Sequence, residues 1–175
     1  KEALVRVIIM DGAVELEQLR NAALDRLEAE GGPRSVKEIV DILILPVTAL
    51  RDRYYVRLVT LFSMTHRALL LDAIDPRWNR AYGRCLDHLR ALMPHLPPAV
   101  QNQRFVFMGA YLGAVLSARE RALADRSRAH PMWSGGHGLE HFVQTVVALL
   151  EAPADLPDGI GQGLDALLAE RGPVG

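Results

Sequence analysis

Cysteine is almost absent. Cys85 is the only one among the 175 residues, which excludes an internal disulfide and fits a reducing, cytoplasmic compartment. An excess of charge of either sign is also missing. Lys and Arg number 20 against 21 Asp and Glu, for a net charge of −1, so the chain lacks the basic field of a nucleic-acid binder. No signal peptide is visible, because Lys1 to Val14 mixes charges with its apolar residues and has no cleavage site. No run is long enough to span a membrane. The longest uncharged apolar stretch, Phe105 to Ala118, is closed by Arg104 and by Arg119, Glu120 and Arg121. It falls short of the roughly 20 residues a span needs. Strand alternation, internal repeats and low-complexity tracts are lacking too. What remains is an all-α chain of one domain, half of whose residues are hydrophobic.

Helical spacing organises that hydrophobicity. Leu4, Val7, Ile8, Leu16, Leu19, Leu24 and Leu27 place one long helix over residues 1–30. Gly31, Gly32 and Pro33 stop it. A chain that opens inside a helix reads as a fragment. Ser35 as N-cap, with Glu38 three residues on, starts a second helix through Ile39, Ile42 and Leu43. Pro46 is expected to kink or break it. Periodicity then resumes from Val47 to about Leu71. A loop over 72–79, punctuated by Pro76, leads into an amphipathic helix over 79–93. Pro94, Pro97 and Pro98 separate it from a long helix over about 99–128. Residues 130–138 form a flexible connection. Leu139, Phe142, Val143, Val146, Val147 and Leu150 mark the last strong helix. A folded unit over 1–152 is thus followed by a Pro-, Gly- and Asp-rich tail over 153–175, with a short possible helix from Ile160 to Arg171.

The segment from Arg104 to Leu123 has the most unusual pattern. Phe105, Met108, Leu112, Val115 and Leu116 fall on one bulky face. Val106, Gly109, Ala110, Gly113 and Ser117 fall on a second face of small side chains, and Phe107, Tyr111, Ala114 and Ala118 lie between. A helix that is apolar all round demands cover all round. The Gly109-x-x-x-Gly113 spacing expects another helix to pack very closely.

Several side chains invite a chemical reading, and each has a plainer one. His137-Gly-Leu-Glu140-His141 matches a zinc hydrolase motif, two histidines one turn apart with a glutamate base. No third ligand cluster follows it, and glycines crowd the helix start. Ser134-Gly-Gly-His-Gly could offer backbone amides to an anion, but meets neither phosphate-binding fingerprint. Arg119, Arg121, Arg126 and Arg128 are interleaved with Glu120 and Asp125, as on the solvated end of a helix. Asp72 and Asp75 flank a turn. Cys85 sits with Leu86 and Leu89 as a small core residue, and His66 near Ser63 has no acid to orient it. No catalytic constellation stands, and no cofactor or metal is expected. A pocket-like composition does stand: Phe62, Met64, Trp78, Tyr82, Phe105, Met108 and Tyr111 supply apolar surface, with Ser63, His66 and Tyr82 as polar contacts. These residues either line a pocket between helices or fill the core.

In this order, the residues resemble the C-terminal regulatory domain of the TetR family of bacterial transcriptional regulators. Lys1-Glu-Ala-Leu looks like the junction at which the DNA-binding head gives way to the connecting helix, here residues 1–30. RFVFMGAYLGAVLSARERAL and LEHFVQTVVALLEAP are similar to the family's last two long helices. The helix-turn-helix itself is absent, so any contact with DNA would come through a head outside this chain. The resemblance implies a homodimer built as a four-helix interface, with Val106, Gly109, Ala110, Gly113 and Ser117 of one helix and Phe142, Val143, Val146, Val147 and Leu150 of the other. It also implies a small-molecule effector of apolar character among the middle helices. Tyr82 and His66 would orient it, Trp78, Phe105, Met108 and Leu112 would form the wall, and Phe62, Ser63 and Tyr111 would complete the site. Binding would shift the dimer between arrangements that do and do not suit DNA half-sites about one turn apart. The competing readings are a small helical metal-dependent hydrolase using His137 and His141, and a dimerisation module without a ligand.

Overall fold

The computed structural model describes residues 2–68, 70 and 76–154, and these form helices and their connections. α1 is Glu2–Ala29, α2 Val36–Thr48 and α3 Tyr55–Thr65. A short 3-10 turn, Pro76–Asn79, leads into α4, Arg80–Leu92. α5 is Pro98–Ala124, α6 the single turn Pro131–Ser134, and α7 Gly136–Glu151. Asp72 and Asp75, the tail from 155 and its possible helix lie outside the described residues. Among the described residues no helix is long and apolar enough to cross a membrane.

The helix ends follow local chemistry. Gly31 (φ 104°) and Gly32 (φ 86°) take the left-handed conformation after α1. The Gly32 amide then reaches the Leu27 carbonyl at 3.0 Å and the Gly31 amide that of Glu28 at 3.1 Å, a paired closure that satisfies two orphan carbonyls. Ser35 and Glu38 form the expected reciprocal cap of α2. Pro46 does not break α2 as expected. It lies in the last turn, where few hydrogen bonds remain to be lost, and the helix runs on to Thr48. Nor does helix resume at Val47. Residues 49–54 form a turn in which an Asp52 carboxylate oxygen accepts the Tyr54 amide at 2.8 Å, and α3 starts only at Tyr55.

The middle of the bundle is α2. Val36, Ile39, Val40, Ile42, Leu43 and Ile44 are all buried, covered by α1, α4 and α7. The long helix α5 packs on α3 and α7, and is not covered all round. Val106 is 68% and Phe107 59% exposed, and Gly109, Ala110 and Ala114 are open to solvent beside them. The close approach expected at Gly113 occurs with α3: the Thr60 hydroxyl donates to the Gly113 carbonyl at 3.3 Å, and a side chain at Gly113 would crowd it.

The buried polar residues share one task, closing the ends of other helices. Glu17 on α1, 7% exposed, accepts the Ala81 amide at the start of α4, at 3.0 and 3.1 Å. Glu120 on α5 accepts the Val56 and Arg57 amides of α3 at 3.1 and 2.9 Å. At the other pole, Gln101 donates to the Met93 carbonyl beyond α4 at 2.8 Å. Arg104 donates to the Leu150 carbonyl at 2.6 Å and the Pro153 carbonyl at 3.2 Å, closing α7. Carboxylates meet helix N-termini and a guanidinium meets a C-terminus, as the macrodipole favours.

Candidate functional site

The residues expected to bind a ligand do not converge on one space. Phe105, Met108 and Leu112 belong to the main core. Tyr111 lies at the seam between α5 and α7, its hydroxyl 3.2 Å from that of Thr145 and its ring edge-on to Phe142. Phe62 packs in a separate small cluster with Ile9 and Leu70. Ser63 donates to the Thr60 carbonyl of its own helix at 2.7 Å. His66 is exposed, stacked on Phe62 and bonded to the Thr65 hydroxyl. Of these residues, Tyr82 adjoins a feature that a structural core does not explain.

That feature is a polar island between α1 and α4. The Arg20 guanidinium donates to the Leu43 carbonyl at 2.9 Å and lies over the Tyr82 ring, 5.8 Å from its centre. Burial pulls its pKa below the usual arginine value, against the opposing pull of Cys85, Tyr55, Tyr82 and Glu17. Its Nε is sealed from solvent and has no partner among the described residues, and the same holds for the Trp78 indole N–H. An unpaired buried donor costs about 1–3 kcal/mol. From Glu17 the polar contacts continue outward along the α1–α4 seam. Asn21 donates to Glu17, Arg84 donates to Asn21, Asp25 and Glu28, and His88 contacts Glu28. Sequence patterning had no means of finding Arg20, since a single arginine on a long helix reads as solvent-facing.

A cavity of about 420 Å³ opens elsewhere, where the end of α2 and the 49–54 turn face the last turns of α5. Val47, Leu50, Leu116 and Leu123 supply its apolar surface, and Asp52, Arg53, Arg119, Glu120 and Arg126 its charge. None of the nine residues expected at the ligand site lines it. Both carboxylates already accept backbone amides, Asp52 from Tyr54 and Glu120 from Val56 and Arg57. Burial raises the Glu120 pKa against the pull of those amides. Burial also lowers that of Arg119, which Glu120 opposes. The signal for this cavity was the charged turn Arg51-Asp-Arg after Pro46, which helical periodicity on both sides conceals.

The residues expected at a dimer interface divide sharply. Phe142, Val143, Val146 and Leu150 are at most 3% exposed within the single chain, and Val147 is half-buried against the same core. They belong to the core of the single chain. Periodicity finds the apolar stripe of α7 but not what covers it, and α2 and α5 of the same chain do so. On α5, Gly113 and Ser117 are half-buried, whereas Val106, Gly109 and Ala110 are exposed. The surface left open is therefore the outer side of α5, with Val106, Phe107, Ala110 and Ala114. His141 and Ala148 of α7 are exposed as well, one on each side of the seam residue Thr145.

In the His137–His141 motif, Glu140 accepts from Gln144 at 3.0 Å and pairs with Lys37 at 3.6 Å. Among the described residues no three metal-binding side chains cluster. Compared with models of protein families, with curated proteins and with solved structures, the chain matches none.

Proposed function

We propose that this chain is the effector-binding and dimerisation part of a TetR-type transcriptional repressor, acting on DNA through a head that this chain does not contain. The observation that carries the ligand half is the sealed Arg20 Nε beside Tyr82, a donor without a partner among the described residues; the Trp78 indole N–H is a second such donor. A core built only for stability pairs such groups. A small, largely apolar molecule with an acceptor oxygen would satisfy them, entering among α1, α2 and α4. Since Arg20 also holds α2 at Leu43, an acceptor that draws the guanidinium away would shift α1 against α2. In this reading α1 is the lever that carries the shift towards the heads.

The dimerisation half rests on the outer side of α5. Small residues there let a second backbone approach, and Val106 and Phe107 supply apolar area. Fused behind a helix-turn-helix head that represses only as a dimer, the chain is expected to restore repression of a reporter. Ala110→Arg should abolish it at unchanged protein level. A fusion that leaves the reporter fully active would remove this function.

A further inference from the structure

The strongest unclaimed feature is the cavity between the end of α2 and the end of α5. Among the described residues, Arg53, Arg119 and Arg126 form no ion pair. The two acids beside them are bound to backbone amides at the 49–54 turn and at the start of α3. Three cations thus line one space with two carboxylates, each of which also accepts a backbone amide. A surface of solvated arginines alone would carry no meaning. Here Arg119 is half-buried, and burial has lowered its pKa further than the nearby Glu120 charge restores it. Leu50, Leu116, Leu123 and Val47 supply the smaller, apolar share of a mainly polar lining. The volume is that of a small-molecule site.

We infer that this cavity is a binding site for a small organic oxyanion, whose charged end sits on Arg119 and whose apolar part lies against Leu50, Leu116 and Leu123. Arg53 and Arg126, at the exposed margin, add attraction for the approaching anion. Guanidinium and oxyanion pair with two parallel hydrogen bonds, which a neutral amide cannot reproduce. This site is separate from the Arg20 island and needs neither a dimer nor DNA.

Titration calorimetry of the whole chain with three probes tests it: 2-naphthoate, neutral 2-naphthamide and inorganic phosphate. The expected result is one naphthoate per chain, bound at least about tenfold more tightly than either other probe. Arg119→Met should weaken naphthoate by at least about tenfold while the circular dichroism and melting curve stay unchanged, and Arg119→Lys should recover part of the loss. Arg121→Met, on the exposed side of the same helix, should change nothing. Equal binding of naphthoate and naphthamide would overturn the site, and so would phosphate binding as tight as naphthoate. No naphthoate binding, or full naphthoate affinity in Arg119→Met, would equally overturn it.

Discussion

At the scale of the residue, Cys85 shows how burial turns chemistry off. It is fully buried beside Ala81 and Leu89, and burial pushes its thiol up to about 11, with Arg20 and Arg84 pulling the other way. A thiol reagent at neutral pH should therefore leave Cys85 untouched until the chain unfolds. The same shift has a consequence for stability. The folded chain keeps this proton to higher pH than the unfolded chain, so its contribution is complete below the ordinary thiol pKa of about 9. It is lost as pH rises towards about 11. Tyr55 and Tyr82, also raised by burial, act in the same direction. Urea midpoints should fall between pH 8 and pH 10.5, and Cys85→Ala should remove about 2 kcal/mol of that fall at its upper end. An identical pH dependence in Cys85→Ala would show that the thiol titrates as it does in the open chain.

At the scale of the element, helices are closed by side chains from distant parts of the chain. This is where the sequence was least legible. Arg104 marked the edge of an apolar run, yet the structure turns it inward to close α7, 46 residues away. Gln101, Glu17 and Glu120 were equally invisible as caps, since a remote cap has no local spacing to betray it. Local caps were legible: the Ser35–Glu38 box and the Gly31–Gly32 stop are where their chemistry puts them. Most helices followed from periodicity, but not the 49–54 turn, where apolar residues on both sides imitate an unbroken helix. Nor did residues 130–138, expected as a flexible connection yet helical over Pro131–Ser134 and from Gly136 on; the long helix also ends at Ala124 rather than about 128. Arg104→Met keeps the apolar stem but strands the last carbonyls of α7. It should cost about 2–4 kcal/mol in chemical denaturation and raise hydrogen exchange first in α7. A loss under about 0.5 kcal/mol would show that water closes α7 as well as Arg104 does.

At the scale of the whole molecule, the apolar pattern located the faces buried on α7 and on the bulky side of α5 but not the elements that cover them, and it also marked Leu4, Val7 and Val106, which stand exposed. The stripe on α7 meets α2 and α5, and α5 packs on α3 and α7, within one chain. The outer side of α5 is left with Val106, Phe107 and Ala110 in water. The proposed dimer would cover this face with a second copy, whose helix the small residues let approach closely. Sedimentation equilibrium of the chain alone is the most direct measure of this. The account expects a mass of twice the 19.3 kDa of one chain, falling to 19.3 kDa in Ala110→Arg with helicity unchanged. A wild-type chain that stays at 19.3 kDa up to about 100 μM would contradict it.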